Sequence, residues 1–146
     1  MASPSITIHR SVIQTTDKVR SGDLKYATFK ISRDSEIVVD RTSTDSDWES
    51  FLADIPVSKP RFALYHFNSD NGLRRMDKVI FINWLPVTAR VKARAIYFTF
   101  NCTLRYSFMF TGRPIEATDF DELTYKRIAK LVREQLRPAR GGHLLM

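Results

Sequence analysis

Lys92 and Arg94 stand two residues apart at the end of KVIFINWLPVTARVKAR, residues 78–94. Both side chains hold their charge at neutral pH, and both only donate hydrogen bonds. Their chemistry is capture of an acidic group rather than proton transfer. They follow an apolar run, Val79 to Trp84, which Pro86 ends. A buried strand is a rigid support, and binding groups are usually placed on the loop it delivers. The stretch therefore predicts a strand that holds up a cationic binding edge, with another protein as the ligand.

No constellation for a reaction accompanies this pair. His9, His66 and His143 sit in unrelated contexts, and His66 lies in an apolar run, where a hydrogen-bonded structural histidine is expected. No His/Cys cluster has metal spacing, so no metal or cofactor is expected. Glycine occurs only 5 times, and no glycine-rich phosphate loop or nucleophile elbow is found. Cys102 lies inside an apolar run and reads as packing. Asp119, Asp121 and Glu122 cluster where a helix N-terminus would explain them without catalysis. Trp48 and Trp84 could stack on bases. Both instead fall on apolar faces and read as core, so nucleic acid is not the expected partner. The chain is not expected to be an enzyme.

The elements that must position the cationic pair follow from patterning. Residues 1–7, which include Ser3 and Ser5, are mostly small and polar and predict a loose arm. Residues 8–20 place Ile8, Val12 and Val19 on a helical stripe, with Ile13 close by. Ser21-Gly22-Asp23 is a turn. Tyr26 to Ser32 alternates and predicts a half-buried strand, paired as a hairpin with Glu36 to Asp40. Ser46-Asp47-Trp48-Glu49 reads as a capping box before a short helix, with Trp48, Phe51, Leu52 and Ile55 inward. RFALYHF, residues 61–67, predicts a strand antiparallel to the apolar run at 79–84, joined by about ten mostly polar residues. Apolar residues fall at every second position from Ile96 to Phe110, a strand pattern of unusual length. Ile115 to Ala117 predicts a brief edge strand. Ile128, Leu131, Val132 and Leu136 form the stripe of a last helix, and residues 138–146 read as a frayed tail.

Composition bounds the class. The chain has 146 residues, 43% hydrophobic and 27% charged, as for one soluble domain. No apolar run reaches the roughly 18 residues of a membrane span, and the N-terminus lacks the apolar core of a secretory signal. A single cysteine excludes an internal disulfide and fits a reducing compartment. Net charge is +7, which favours acidic partners without choosing among them.

Four segments in order resemble the actin-depolymerising factor/cofilin family. They are TSTDSDWESFLADIP at 42–56, RFALYHF at 61–67, KVIFINWLPVTARVKARAIY at 78–97 and IEATDFDELTY at 115–125. The resemblance runs from about residue 5 to 136 and implies an α/β (α+β) fold. That is a single ADF-homology (gelsolin-like) domain over 5–137, with a mixed five- to six-stranded sheet flanked by helices on both faces. It implies that residues 92–108 form one long helix. This is preferred to the strand pattern, because a fifteen-residue strand is improbable. The family's small and polar residues after Tyr97 are replaced by Phe98-Thr99-Phe100-Asn101-Cys102-Thr103.

The resemblance also implies roles. Actin, as monomer and filament, is the expected partner, and severing and depolymerisation the expected activity of a monomeric cytoplasmic, cytoskeletal protein. Lys92 and Arg94 match the family's basic pair at the start of the long helix. Arg105 matches the first of a later basic pair, with Tyr106 in place of the second. Ser3 matches the phosphorylated N-terminal serine, with Ser5 as competitor. Arg74, Arg75 and Lys78 match the loop of a filament-only surface, completed by Lys130 and Arg133 of the last helix. Phosphoinositides are a further expected ligand of the basic edge. The alternative is an interaction module of the same fold, weakened in filament remodelling, that binds another protein or an anionic lipid surface.

Overall fold

The computed structural model describes residues 5–70 and 75–136. Its elements in chain order are β1 (Thr7–Ile8), α1 (Arg10–Ser21), β2 (Tyr26–Ile31), β3 (Glu36–Ser43), α2 (Trp48–Asp54), β4 (Arg61–Asp70), β5 (Arg75–Trp84), α3 (Val91–Ser107), β6 (Ile115–Ala117), a 3-10 turn (Phe120–Leu123) and α4 (Tyr125–Leu136). Six strands form one sheet in the order β1-β3-β2-β4-β5-β6. The inner pairs β3-β2, β2-β4 and β4-β5 are antiparallel, and the two edges, β1-β3 and β5-β6, are parallel. This is the mixed α+β sheet that the resemblance implied.

Alternation along the strands sorts the core into two layers. Tyr26, Ala63, Tyr65, Phe67, Ile80, Ile82 and Trp84 point to one face, under Trp48 and Phe51 of α2 and Ile128 and Val132 of α4. Ala27, Phe29, Phe62, Leu64 and Phe81 point to the other, under Val12 and Val19 of α1 and Tyr97 and Leu104 of α3. A sheet covered on both faces needs apolar residues at consecutive positions. That explains the run Val79 to Trp84, which only Asn83 interrupts. It also corrects the half-buried reading of β2, whose first four residues are all buried. Buried Thr28 is satisfied by donating to Asp40 Oδ2 at 3.2 Å and accepting from Arg41 N at 3.1 Å.

Several local expectations shift. Ile8 pairs with Ile37 in β1 and does not belong to α1, which His9 caps by accepting from Ser11 N at 3.1 Å. Thr7, at the end of the expected loose arm, pairs with Glu36. The capping box at 46–49 does not form. The N-cap of α2 is Asp47, so Glu49 is one position too early to reach back, and Asp45 Oδ1 accepts from Asp47 N instead at 2.9 Å. The antiparallel β4-β5 pair extends from Arg61↔Trp84 to Asp70↔Arg75. The long polar connection is thus mostly strand. Asp121 and Glu122 belong to the 3-10 turn, whose N-cap is Asp119. Thr124 Oγ1 accepts from Arg127 N at 3.3 Å in the first turn of α4.

The strand pattern at 96–110 is overturned. Helix α3 buries Tyr97, Asn101 and Leu104, and Phe108 follows at its C-cap, also buried. Steps of four, three and four residues are helical. The alternating set was apolar, but Phe98 and Tyr106 of it face solvent. Cys102 is likewise exposed, which corrects its reading as a packing residue.

Two polar groups make testable demands on this core. Asn83 on β5 is 1% exposed, and neither its Oδ1 nor its Nδ2 has a hydrogen-bond partner. Burying an unpaired amide is costly, so Asn83→Val should stabilise the fold by about 1–3 kcal/mol in urea denaturation. A loss of stability would show that the amide is bonded. Glu122 Oε1 accepts from both Thr118 N and Thr118 Oγ1 at 2.7 Å, and these bonds hold its pKa below the ordinary value. A depressed folded pKa gives stability that is present above the unfolded value, about 4.3, and lost as pH falls through the folded one. Glu122→Gln should therefore cost about 1 kcal/mol or less at neutral pH, since the carboxylate is partly in water. The gap to wild type should close in acid.

Candidate functional site

Helix α3 is held by its inner side. Tyr97 Oη accepts from Ile31 N of β2 at 2.8 Å, and its ring lies 5.0 Å from that of Phe62. Burial pushes the Tyr97 phenol pKa up. The start of the helix is fixed by the loop after β5. Leu85 N donates to Ala117 O at 2.8 Å, Val87 N to Thr118 O at 3.0 Å, and Thr88 Oγ1 to Val57 O at 2.8 Å. The far end closes with Phe110 N donating to Arg105 O at 2.9 Å and Met109 N to Tyr106 O at 3.1 Å. This is a Schellman closure, in which Met109 takes the left-handed position at φ 55 that glycine usually fills. Arg20 of α1 donates to the Phe108 carbonyl and lies over the Phe108 ring at 5.6 Å.

The outer side of α3 carries the cations. Lys92 is exposed and Arg94 half-buried, with its Nε buried and unpartnered. Arg90 is the N-cap, with no side-chain capping bond. A helix N-terminus is the positive end of the macrodipole, where each cation costs roughly 0.3–1 kcal/mol. No acidic residue occurs anywhere in VKARAIYFTFNCTLRYS to offset them. Among the described residues, no carboxylate lies within ion-pair distance of Lys92, Arg94 or Arg105. Among the described residues, nothing neutralises this charge.

The other expected site residues are dispersed. Arg105 is half-buried and committed locally, donating to Asn101 Oδ1 from Nε at 3.1 Å and Nη2 at 2.9 Å. Ser5 is exposed just before β1, and Ser3 and Arg74 lie outside the described residues. Arg75 pairs with Asp70 and Lys78 with Phe67 inside β5, so neither is on a loop. Lys130 and Arg133 are exposed on α4, on the opposite sheet face from α3. With Lys126, Arg127 and Thr124 they line a groove of about 350 Å³. Lys126 and Arg127 were missed from sequence, although Lys126, Lys130 and Arg133 fall at i, i+4 and i+7. The acid-free composition of α3 was an equally legible signal. His66 does have a structural role, with Nδ1 at 2.8 Å from Val19 O and Nε2 at 2.6 Å from Asp77 Oδ1. No helix of the described residues is long and apolar enough to cross a membrane.

Comparison with known proteins bears on this arrangement. The family model for cofilin/tropomyosin-type actin-binding proteins matches residues 5–133. The chain belongs to the cofilin/ADF family. Among relatives, Schizosaccharomyces pombe cofilin is 34% identical over 134 residues, covering 90% of this chain and 98% of that one. Gibberella zeae cofilin is 32% identical over 128 residues, covering 77% and 82%. The crystal structure of Streptomyces griseoflavus cofilin superposes with a TM-score of 0.83 at 26% identity, covering 90% of this chain and 99% of that one. In this cofilin/ADF chain, α3 is thus a long helix pinned on one side and cationic on the other.

The pin can be tested. Tyr97→Phe keeps the ring but leaves the Ile31 amide without its partner. It should cost about 1–3 kcal/mol of unfolding free energy. Unchanged stability would mean that water replaces the phenol, and that the bond does not hold α3 in place.

Proposed function

We propose that this chain binds actin monomers and filaments, and promotes filament severing and depolymerisation. The observation that carries the reading is the unpaired cationic start of α3 on a cofilin/ADF scaffold. Lys92, with Arg94 beside it, meets an acidic patch on the actin subunit, with the ADP-bound form preferred as in the family. Severing then needs no chemistry. The chain favours one filament geometry and strains the boundary with bare filament, because a ligand shifts an equilibrium only by its differential affinity. Lys130 and Arg133 on the opposite layer supply the filament contact, joined by Lys126 and Arg127. Ser3, or Ser5 in its place, is the point where phosphorylation would set a dianion against the same acidic partner. Phosphoinositide headgroups would compete for the basic edge at the cytoplasmic membrane face.

A second reading is favoured by one observation. Lys78 and Arg75 are bound into β5, so the filament-only loop contributes less than the resemblance implied. A chain of this kind would bind monomers and remodel filaments weakly. Pyrene-actin disassembly measured beside monomer binding separates the two.

Lys92→Ala with Arg94→Ala should abolish co-sedimentation with filaments while thermal unfolding stays nearly unchanged. Wild-type binding should weaken clearly between low and high salt, since exposed charges are screened over about 8 Å at physiological ionic strength. Full co-sedimentation of the double variant would reject the assignment of the site.

A further inference from the structure

We propose that His143 to Met146 fold back as a short strand on the open edge of β5, with Leu144 and Leu145 each filling one of two hollows that flank it. The occupant is a segment of this chain that lies outside the described residues, held within the same molecule. The inference does not use the actin reading and goes beyond it.

The outer edge of β5 is covered only in part. β6 pairs with it at Ile82, Asn83 and Trp84. Among the described residues, the stretch from Arg75 to Phe81 therefore has no strand on that side. An uncovered edge presents backbone N–H and C=O groups that readily take up another extended segment. A hollow lies on each face of this edge. One, of about 660 Å³, is walled by Leu131, Glu134 and Gln135 of α4. The other, of about 360 Å³, is walled by Arg20 of α1 with Val79, Met109 and Phe110. Lys78, Thr111 and Gly112 line both, so the two are one groove wrapped around the edge.

Residues 137–146, RPARGGHLLM, fit this groove in position and in pattern. α4 ends at Leu136, and Gln135 in its last turn is itself a wall of the larger hollow. An extended chain spans about 27 Å between residues 136 and 144, so reach does not limit it. Gly141-Gly142 give a point at which the chain can reverse. Successive side chains of a strand point to opposite faces. Leu144 and Leu145 therefore present one apolar group toward Leu131 and one toward Val79 and Phe110, which are all half-buried in opposite core layers. The groove also leaves one group unsatisfied. Gln135 Nε2 donates to Arg113 O at 3.3 Å, while its Oε1 is shut from water with no partner among the described residues. A backbone N–H of the added strand supplies that donor. The family match ends at residue 133 and assigns this segment nothing. The strap lies across Lys78, so a ligand that needs that ammonium has to displace it.

Methyl NMR of the full chain is the test. Nuclear Overhauser contacts should join the Leu144 and Leu145 methyls to the Phe110 ring and the Leu131 methyls. Leu144→Ser with Leu145→Ser should abolish them and speed amide exchange of residues 77–80 and 109–113 by about tenfold or more, with β2 unchanged. Leu144→Ile with Leu145→Ile should keep the slow exchange. A sample that mixes labelled and unlabelled chains separates the occupants. Contacts found only between chains mean that a second copy fills the groove, and the proposal fails. It fails equally if the methyls show no contact and the serine variant exchanges as wild type. Neither failure touches the actin reading, which rests on Lys92 and Arg94.

Discussion

The seam of Tyr97, Asn101, Leu104 and Phe108 against Phe62 and Phe81 decides how the longest helix is turned. Buried residues at steps of four, three and four lock its rotation, because turning it by one residue would carry a charged or polar group into the core. Once that side is fixed, helical geometry leaves the other to solvent. Lys92, Phe98, Cys102 and Tyr106 face outward as a consequence of what Tyr97 and Leu104 bury. The outward-facing cationic side is thus the complement of a packing decision, and the Tyr97 bond to the Ile31 amide ties that decision to β2.

Electrostatics run against the fold at the start of α3, as they do at the start of α4, where Lys126 and Arg127 stand with no acid in the first turn. Some other cations are compensated locally: Arg61 pairs with Asp40 at 2.9 Å, and basic residues close the last turn of α1. At the start of α3 the signs are reversed, and the helix carries no carboxylate of its own. Local rules that fail without compensation inside the chain usually fail for a functional reason. The basic row on α4 lies in the opposite layer, so the protein presents two separate cationic surfaces.

Much of this was legible before any coordinates. Alternation placed β2, the apolar runs at 61–67 and 79–84 placed β4 and β5, and the 3.6-residue stripe of Val12 and Val19 placed α1. Periodicity failed at 96–110, because eight apolar residues at every second position satisfy a strand. The helix is instead specified by what lies between them, Tyr97 and Asn101, which alternation assigns to the wrong face. Burial on both sides of the sheet was equally hard to see, since a half-covered and a fully covered strand differ only in the polarity of alternate residues. The capping box at 46–49 failed by one residue, beyond the resolution of pattern reading. Of the candidate site, Lys92 and Arg94 were visible by type and spacing. The exposure of Phe98 and Tyr106 was not, because exposure is a property of packing and not of composition.

Amide hydrogen exchange of this chain, free and saturated with actin monomers, asks most directly whether the outer side of α3 is the docking face. Slowed exchange concentrated over residues 91–107, with α1 and the sheet little changed, is the predicted result. Tight binding that leaves those amides exchanging at their free rate would contradict the account, since the partner would then sit elsewhere.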